Sequence, residues 1–189
     1  MLKLGWRAAG IQLWPDELRT IIGAIHRRRP CRLLVFGLGR DSLLWARANR
    51  GGTTIFLEDD RAWYEKRHRT LTAFQVDYRT TRTQWRELLD SPERLAMRLP
   101  DEVEHQRWDV LLVDGPAGFS DSSPGRMKSI ALALRLAGTP ADVFVHDCDR
   151  PVEQAYCDRF LKPQNLLTQV GRLRHYRVNP IEPDHSLHG

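Results

Sequence analysis

Short, unbroken apolar runs alternate along this chain with stretches in which apolar side chains recur every three or four positions. The runs are Leu33 to Phe36, Thr53 to Leu57, Thr72 to Val76, Trp108 to Val113 and Ala141 to Val145, and each reads as a strand. Between them, helix-period patterns cover residues 15–28, 43–48, 61–70, 83–89, 126–136 and 151–160, with a shorter one near Glu93 to Met97. The first is the best punctuated. Pro15 stands in its first turn, Asp16 and Glu17 lie at the positive end of the dipole, Leu18, Ile21, Ile22 and Ile25 make a stripe, and Arg27-Arg28-Arg29 close it before Pro30. Two last strands, Leu166 to Val170 and Leu173 to Val178, are separated by Gly171-Arg172 alone, short enough for a hairpin. Strands alternating with helices predict an α/β, Rossmann-like fold: a mostly parallel sheet with helices on both faces and an antiparallel hairpin at one edge. Residues 1–179 are expected to form a single domain and residues 180–189 a loose C-terminal tail.

Ligands of such sheets bind beyond the carboxyl ends of the strands, near the point where strand order reverses. The polar residues at those ends are Gly37 to Ser42, Glu58, Asp77 to Thr80, Asp114 to Pro116 and His146-Asp147, and they are expected to converge on one rim. The bend Gly37-Leu38-Gly39, completed by Asp41 and Ser42, turns a strand straight into a helix, so backbone N–H groups and the positive end of a dipole point at one spot. Glu58 follows about twenty residues later, where an acid at the tip of the second strand receives two ribose hydroxyls. Ser42 occupies the place of the third glycine of a dinucleotide fingerprint, the one that lets a helix pack close beneath a pyrophosphate. Its absence favours a nucleoside cofactor without a pyrophosphate, such as S-adenosylmethionine, and Asp77 is then a candidate acceptor for the adenine amine. A nicotinamide cofactor and a ligand-free turn are the alternatives; the missing glycine and the short chain count against the first.

Composition narrows the class. At 189 residues, 41% hydrophobic and 28% charged, the chain suits one globular domain and not a disordered one. No apolar run approaches bilayer length, and Met1-Leu2-Lys3-Leu4-Gly5-Trp6-Arg7 lacks the apolar core of a signal peptide, so the expectation is a cytoplasmic protein with no membrane contact. Cys31, Cys148 and Cys157 have no paired metal-type spacing and read as small apolar fillers. Net charge is +5, and 25 of the 29 basic residues are arginine. That excess would suit an acidic partner, a uronate or a phosphate, but scattered placement over solvated faces explains it as well. No nucleic acid is expected, because the aromatics do not interleave with the basic residues as a stacking platform requires. Oligomeric state is left open.

Longer strings carry a family resemblance. Phe36-Gly37-Leu38-Gly39-Arg40-Asp41-Ser42-Leu43-Leu44-Trp45, Phe56-Leu57-Glu58-Asp59-Asp60, Tyr78-Arg79-Thr80, Val113-Asp114-Gly115-Pro116-Ala117-Gly118-Phe119, Pro124-Gly125-Arg126-Met127, Val145-His146-Asp147 and Gly171-Arg172-Leu173 occur in unbroken order over roughly residues 20–178. Together they resemble the plant polysaccharide-biosynthesis family that includes glucuronoxylan 4-O-methyltransferase. The resemblance implies a class I methyltransferase fold, S-adenosylmethionine as cofactor, and O-methylation of a sugar or uronic-acid-like hydroxyl. Another small-molecule acceptor, methylated on oxygen or nitrogen, and a non-catalytic polyanion-binding relative are the alternatives.

Methyl transfer to an alcohol needs in-line positioning and removal of the acceptor's proton. Asp114 is the expected base, with His146 and Asp147 helping from the neighbouring strand end. A divalent metal ion held by Asp114 and Asp147 would serve the same end, since carboxylate oxygens suit a hard cation. Arg79 and Arg126 are candidates to receive an acidic group on a saccharide acceptor, and His175 is placed with them if it faces the rim.

Overall fold

The first helix, α1 (Pro15–Arg28), forms as its punctuation predicts: Pro15 is its first residue, and the Glu17 carboxylate accepts from the Trp14 backbone N–H, closing a capping box. The computed structural model describes residues 13–179, so the expected tail lies outside the described residues. β1 (Arg32–Phe36), α2 (Ser42–Ala48), β2 (Thr53–Glu58), α3 (Arg61–Arg67) and β3 (Ala73–Gln75) follow in order. The polar connection then holds α4 (Trp85–Asp90) and α5 (Asp101–Glu104) and leads to β4 (Trp108–Val113). α6 (Met127–Leu136), β5 (Ala137–Val145), α7 (Pro151–Tyr156), β6 (Leu166–Val170) and β7 (Leu173–Val178) complete the described chain.

The seven strands lie in the order β3-β2-β1-β4-β5-β7-β6. β1 is parallel to both β2 and β4, β5 continues the parallel set, and β7 runs antiparallel between β5 and β6. The apolar runs are unbroken because helices cover both faces of the sheet. Leu34, Phe36, Leu57, Leu111, Val113, Val143 and Val145 pack on one side with Met127, Ile130 and Ala133 of α6. Leu33, Val35, Phe56, Val110, Leu112 and Phe144 face the other side, against Leu18, Ile21 and Ile25 of α1 and Trp45 of α2. That is the period-two alternation of a strand read once on each face.

Several boundaries differ from the sequence reading. α3 stops at Arg67 instead of Thr70, and β3 is only three residues long. β5 starts at Ala137, not Ala141, because Trp108 pairs with Ala137 and Val110 with Asp142, so Gly138 to Ala141 bulge out opposite Asp109. The helix expected to reach Phe160 changes pitch after Tyr156 and winds as a π-helix over Cys157–Leu161. No helix among the described residues is long and apolar enough to cross a membrane.

Strand order reverses between β1 and β4, and the loops leaving these two strands meet there. Gly37 has φ +111°, and a Cβ on Gly115 would lie 2.8 Å from the Gly37 Cα. The first position needs glycine for its backbone angle and the second for the approach of one main chain to another. Hydrogen bonds from Gly37 N to Leu57 O, Asp114 N to Phe36 O and His146 N to Val113 O carry the sheet ladder past the strand ends and lock these loops side by side.

Candidate active site

The glycine bend is tied from within. Ser42 Oγ accepts from Gly39 N at 2.8 Å, and a Cβ on Gly39 would sit 2.9 Å from Asp41 Oδ1. The Asp41 carboxylate therefore folds back over the bend and is buried, and burial together with the nearby Asp114 charge outweighs a bond from its own backbone N–H and pushes it up to about 6. Glu58 ends β2 next to it. It is buried, its two oxygens accept from the backbone N–H groups of Leu38 and Asp60, and burial outweighs those bonds and pushes it up to about 7.

On the adjoining loop, Asp114 leaves β4 with its two oxygens in different states. Oδ1 accepts from His146 Nδ1 at 3.1 Å and Arg126 Nη2 at 3.3 Å, while Oδ2 has no partner among the described residues. Burial would raise this carboxyl, but the His146 and Arg126 contacts prevail and hold it below its ordinary 3.8. Burial would likewise lower His146, yet Asp114 and Asp147 overcome it and raise the imidazole above its ordinary 6.5. The other ring nitrogen, Nε2, is buried without a hydrogen bond, 3.5 Å from Glu17 Oε2.

Arg126 is not available to an acceptor, which corrects the expectation for it. It is buried, with Nη2 at 2.9 Å from Asp147 Oδ2 and 2.9 Å from the Asp114 carbonyl, Nη1 at 2.7 Å from the His146 carbonyl and Nε at 3.3 Å from Pro116 O. A cation at a helix N-terminus opposes the dipole; here the carboxylates and carbonyls of two loops outweigh that. Asp147, held at φ +58°, is gripped by three guanidinium groups, Arg126, Arg150 at 3.1 Å and Arg172 at 2.8 Å. Such a carboxylate is neither a free base nor a cation ligand, because a metal ion there would face three positive groups. No group of three or more His, Cys, Asp or Glu among the described residues is arranged to hold a metal ion.

His175 stands away from the rim. It lies opposite Phe144 in the β5–β7 pairing, stacks on that ring at 4.1 Å, and binds Asp142 Oδ1 through Nε2 at 2.8 Å. Asp142 also receives Arg28 from the end of α1 and Arg177, so this cluster fastens helix to sheet. Asp77 and Arg79 sit at the β3 end of the rim, exposed and paired with each other at 3.0 Å. They border a cleft of about 770 Å³ shared with Asp59, Tyr78, Thr80 and Pro124, without contact to the Asp114 cluster.

The sequence reading missed Glu17, Arg150 and Arg172. Glu17 is fully buried; beyond its capping role, its Oε1 accepts from Arg172 N at 2.8 Å, which seats the first turn of α1 on the hairpin turn. Arg172 could have been found: a β7 antiparallel to β5 brings the β6–β7 turn to the same rim as His146. Nothing in the sequence distinguished Arg150 among 25 arginines.

The two raised carboxyls have a measurable consequence. Folded Asp41 and Glu58 hold protons that the unfolded chain has already lost at about 3.8 and 4.5, so stability falls as pH rises toward 6 and 7. Chemical denaturation should show the ligand-free protein about 3 kcal/mol less stable at pH 7 than at pH 5, and the double variant Asp41→Asn, Glu58→Gln should reduce that slope. An unchanged slope in the variant would contradict the assignment.

Comparison with known proteins follows the same lines. A methyltransferase-like protein from Silicibacter pomeroyi superposes with a TM-score of 0.55 at 19% identity, covering 92% of this chain and 91% of that one. A putative caffeoyl-CoA O-methyltransferase from Staphylococcus aureus gives 0.54 at 12% identity, over 94% and 90%. The fold is that of class I S-adenosylmethionine-dependent methyltransferases. In sequence, Glucuronoxylan 4-O-methyltransferase 2 of Arabidopsis thaliana is 38% identical over 86% of this chain and 64% of its own length. Arabinogalactan O-methyltransferase 2 of the same plant is 36% identical over 86% and 66%. The chain thus spans somewhat less than two thirds of these relatives. The IRX15/IRX15L/GXM profile matches residues 16–97 and 90–176, and with nearly all the described elements inside those bounds, the chain belongs to that family.

Proposed function

We propose that this chain transfers a methyl group from S-adenosylmethionine to a hydroxyl of a saccharide that carries a uronic acid. The observation that carries this reading is the half-occupied Asp114 carboxylate on the loop that meets the glycine bend, with the buried acids Asp41 and Glu58 at that bend. Those acids fit the cofactor. Glu58 gains by receiving ribose hydroxyls, and the burial and Asp114 charge that raise Asp41 are offset by a ligand bearing positive charge. The bound cofactor supplies an electrophilic methyl group on a sulfonium. The chain supplies the rest: the Gly37 to Gly39 backbone and Glu58 orient the nucleoside, and Asp114 Oδ2 takes the acceptor's hydroxyl proton as it attacks, while His146 and Arg126 hold Oδ1.

Saccharide acceptors are supported by the relatives, which are named for glucuronoxylan and arabinogalactan. With Arg126 engaged, the acidic group falls to Arg150 and Arg172, whose side chains are 29% and 35% exposed at the edge of the same cluster. The test is direct. S-adenosylhomocysteine at one hundred times its dissociation constant should add about 2.7 kcal/mol of stability, and oligosaccharides from glucuronoxylan with unmethylated glucuronic acid should gain 14 mass units per acceptor hydroxyl, roughly the mass of one added CH₂. The absence of both stabilisation and transfer would overturn the proposal.

A further inference from the structure

Phe119 is the most exposed of the large apolar side chains among the described residues, at 78%. A single apolar residue at a surface needs no explanation by itself. This one, however, projects from a braced loop. Gly125 N bonds Ala117 O at 2.8 Å and closes the loop's base, Ser123 N and Oγ both bond Ser120 O, and Arg82 clamps the outside through Ser120 O and the Asp121 carboxylate. Thr80 Oγ1 adds a bond to Pro124 O. None of these bonds needs an aromatic ring at position 119, and most of the ring faces solvent.

Its position is what directs the inference. Gly118, its neighbour, lies against the start of α7, where a Cβ would be 3.0 Å from Glu153 Oε1 and 3.3 Å from Arg150 Nη1. Arg150 binds Asp147, and Arg126 joins Asp147 to Asp114. Phe119 therefore belongs to the strand-to-helix connection that begins at Asp114, in the loop whose Gly118 lies against Arg150. An aromatic face carries negative quadrupole density, and one face of a pyranose ring presents only C–H groups with a slight positive character. Stacked together, they leave the sugar's hydroxyls free at its edge. A ring on a braced loop gains this contact without first being ordered.

We propose that Phe119 is the platform on which a pyranose ring of the saccharide acceptor stacks, holding a hydroxyl toward Asp114 and a carboxylate toward Arg150 and Arg172. The inference rests on the function proposed above and adds where, and by which surface, the acceptor is held. Its test is steady-state kinetics with a glucuronoxylan oligosaccharide bearing unmethylated glucuronic acid. Phe119→Ala should raise KM for the oligosaccharide about ten- to a hundred-fold, with kcat within about threefold and with Tm and S-adenosylhomocysteine affinity unchanged. Phe119→Trp should restore KM, since any aromatic face serves. A Phe119→Ala enzyme whose KM stays within about twofold of the wild type overturns the platform and leaves the methyltransferase reading intact. A wild-type protein that binds S-adenosylhomocysteine but methylates no such oligosaccharide overturns the saccharide reading and the platform with it.

Discussion

Replacing Arg126 with alanine is expected to destabilise the protein by about 3–5 kcal/mol and to lower Tm by on the order of 10 °C. The size follows from what the guanidinium joins. It is buried between the loops that leave β4 and β5, and it donates to three main-chain carbonyls as well as to Asp114 and Asp147. Removing it leaves two carboxylates facing each other in a poorly solvated place and three carbonyls short of a donor, and an orphaned buried charge is among the largest single-site penalties known. Asp147 keeps Arg150 and Arg172, which sets the lower end of the range. Arg126→Lys should fall between the wild type and the alanine variant, because an ammonium keeps the charge but cannot fork across both loops. Thermal denaturation measures both, and a loss below about 1 kcal/mol for Arg126→Ala would show that the loops close without it.

Arg126 also marks where sequence stops being informative. The strands were legible because a sheet covered on both faces demands unbroken apolar runs, and Leu33 to Phe36 or Val110 to Val113 can be little else. The rim was legible too, since parallel strands gather their carboxyl ends at one edge, and Gly37, Glu58, Asp114 and His146 fell at those ends. What could not be read was which side chains the cluster spends on itself. An arginine that opens a helix looks the same whether it reaches out to a substrate or folds back, as Arg126 does, onto carbonyls brought near by tertiary contact. Alternation gave His175 a face without saying which, and only its pairing with Phe144 places it against Asp142. Glu17 hid behind its own capping box: one oxygen explains it locally, and the other reaches Arg172, 155 residues away.

Asp114→Asn should leave the protein folded and able to bind S-adenosylhomocysteine while reducing kcat by about 10²–10⁴-fold. The amide is nearly isosteric, and its oxygen can still accept from His146 and Arg126, so the loss isolates proton removal at the free oxygen. The pH profile separates this base from its neighbour. Asp114 is held below 3.8, so a reaction that depends on it keeps its activity down to about pH 4; a reaction that depended on neutral His146, raised above 6.5, would gain activity only as pH rose past that value. The pair's contribution to stability is complete in between. The Asp114 part is present above 3.8 and lost as pH falls through its folded value, while the His146 part is present below 6.5 and lost as pH rises through its own. Rates measured between about pH 4 and 6.5 therefore report chemistry with the ion pair intact. A flat profile across that window with an inactive, cofactor-binding Asp114→Asn enzyme assigns the proton to Asp114. A rate that climbs with a midpoint above 6.5, and an Asp114→Asn enzyme that keeps most of its kcat, would give it to His146 and leave Asp114 only the task of orienting the ring.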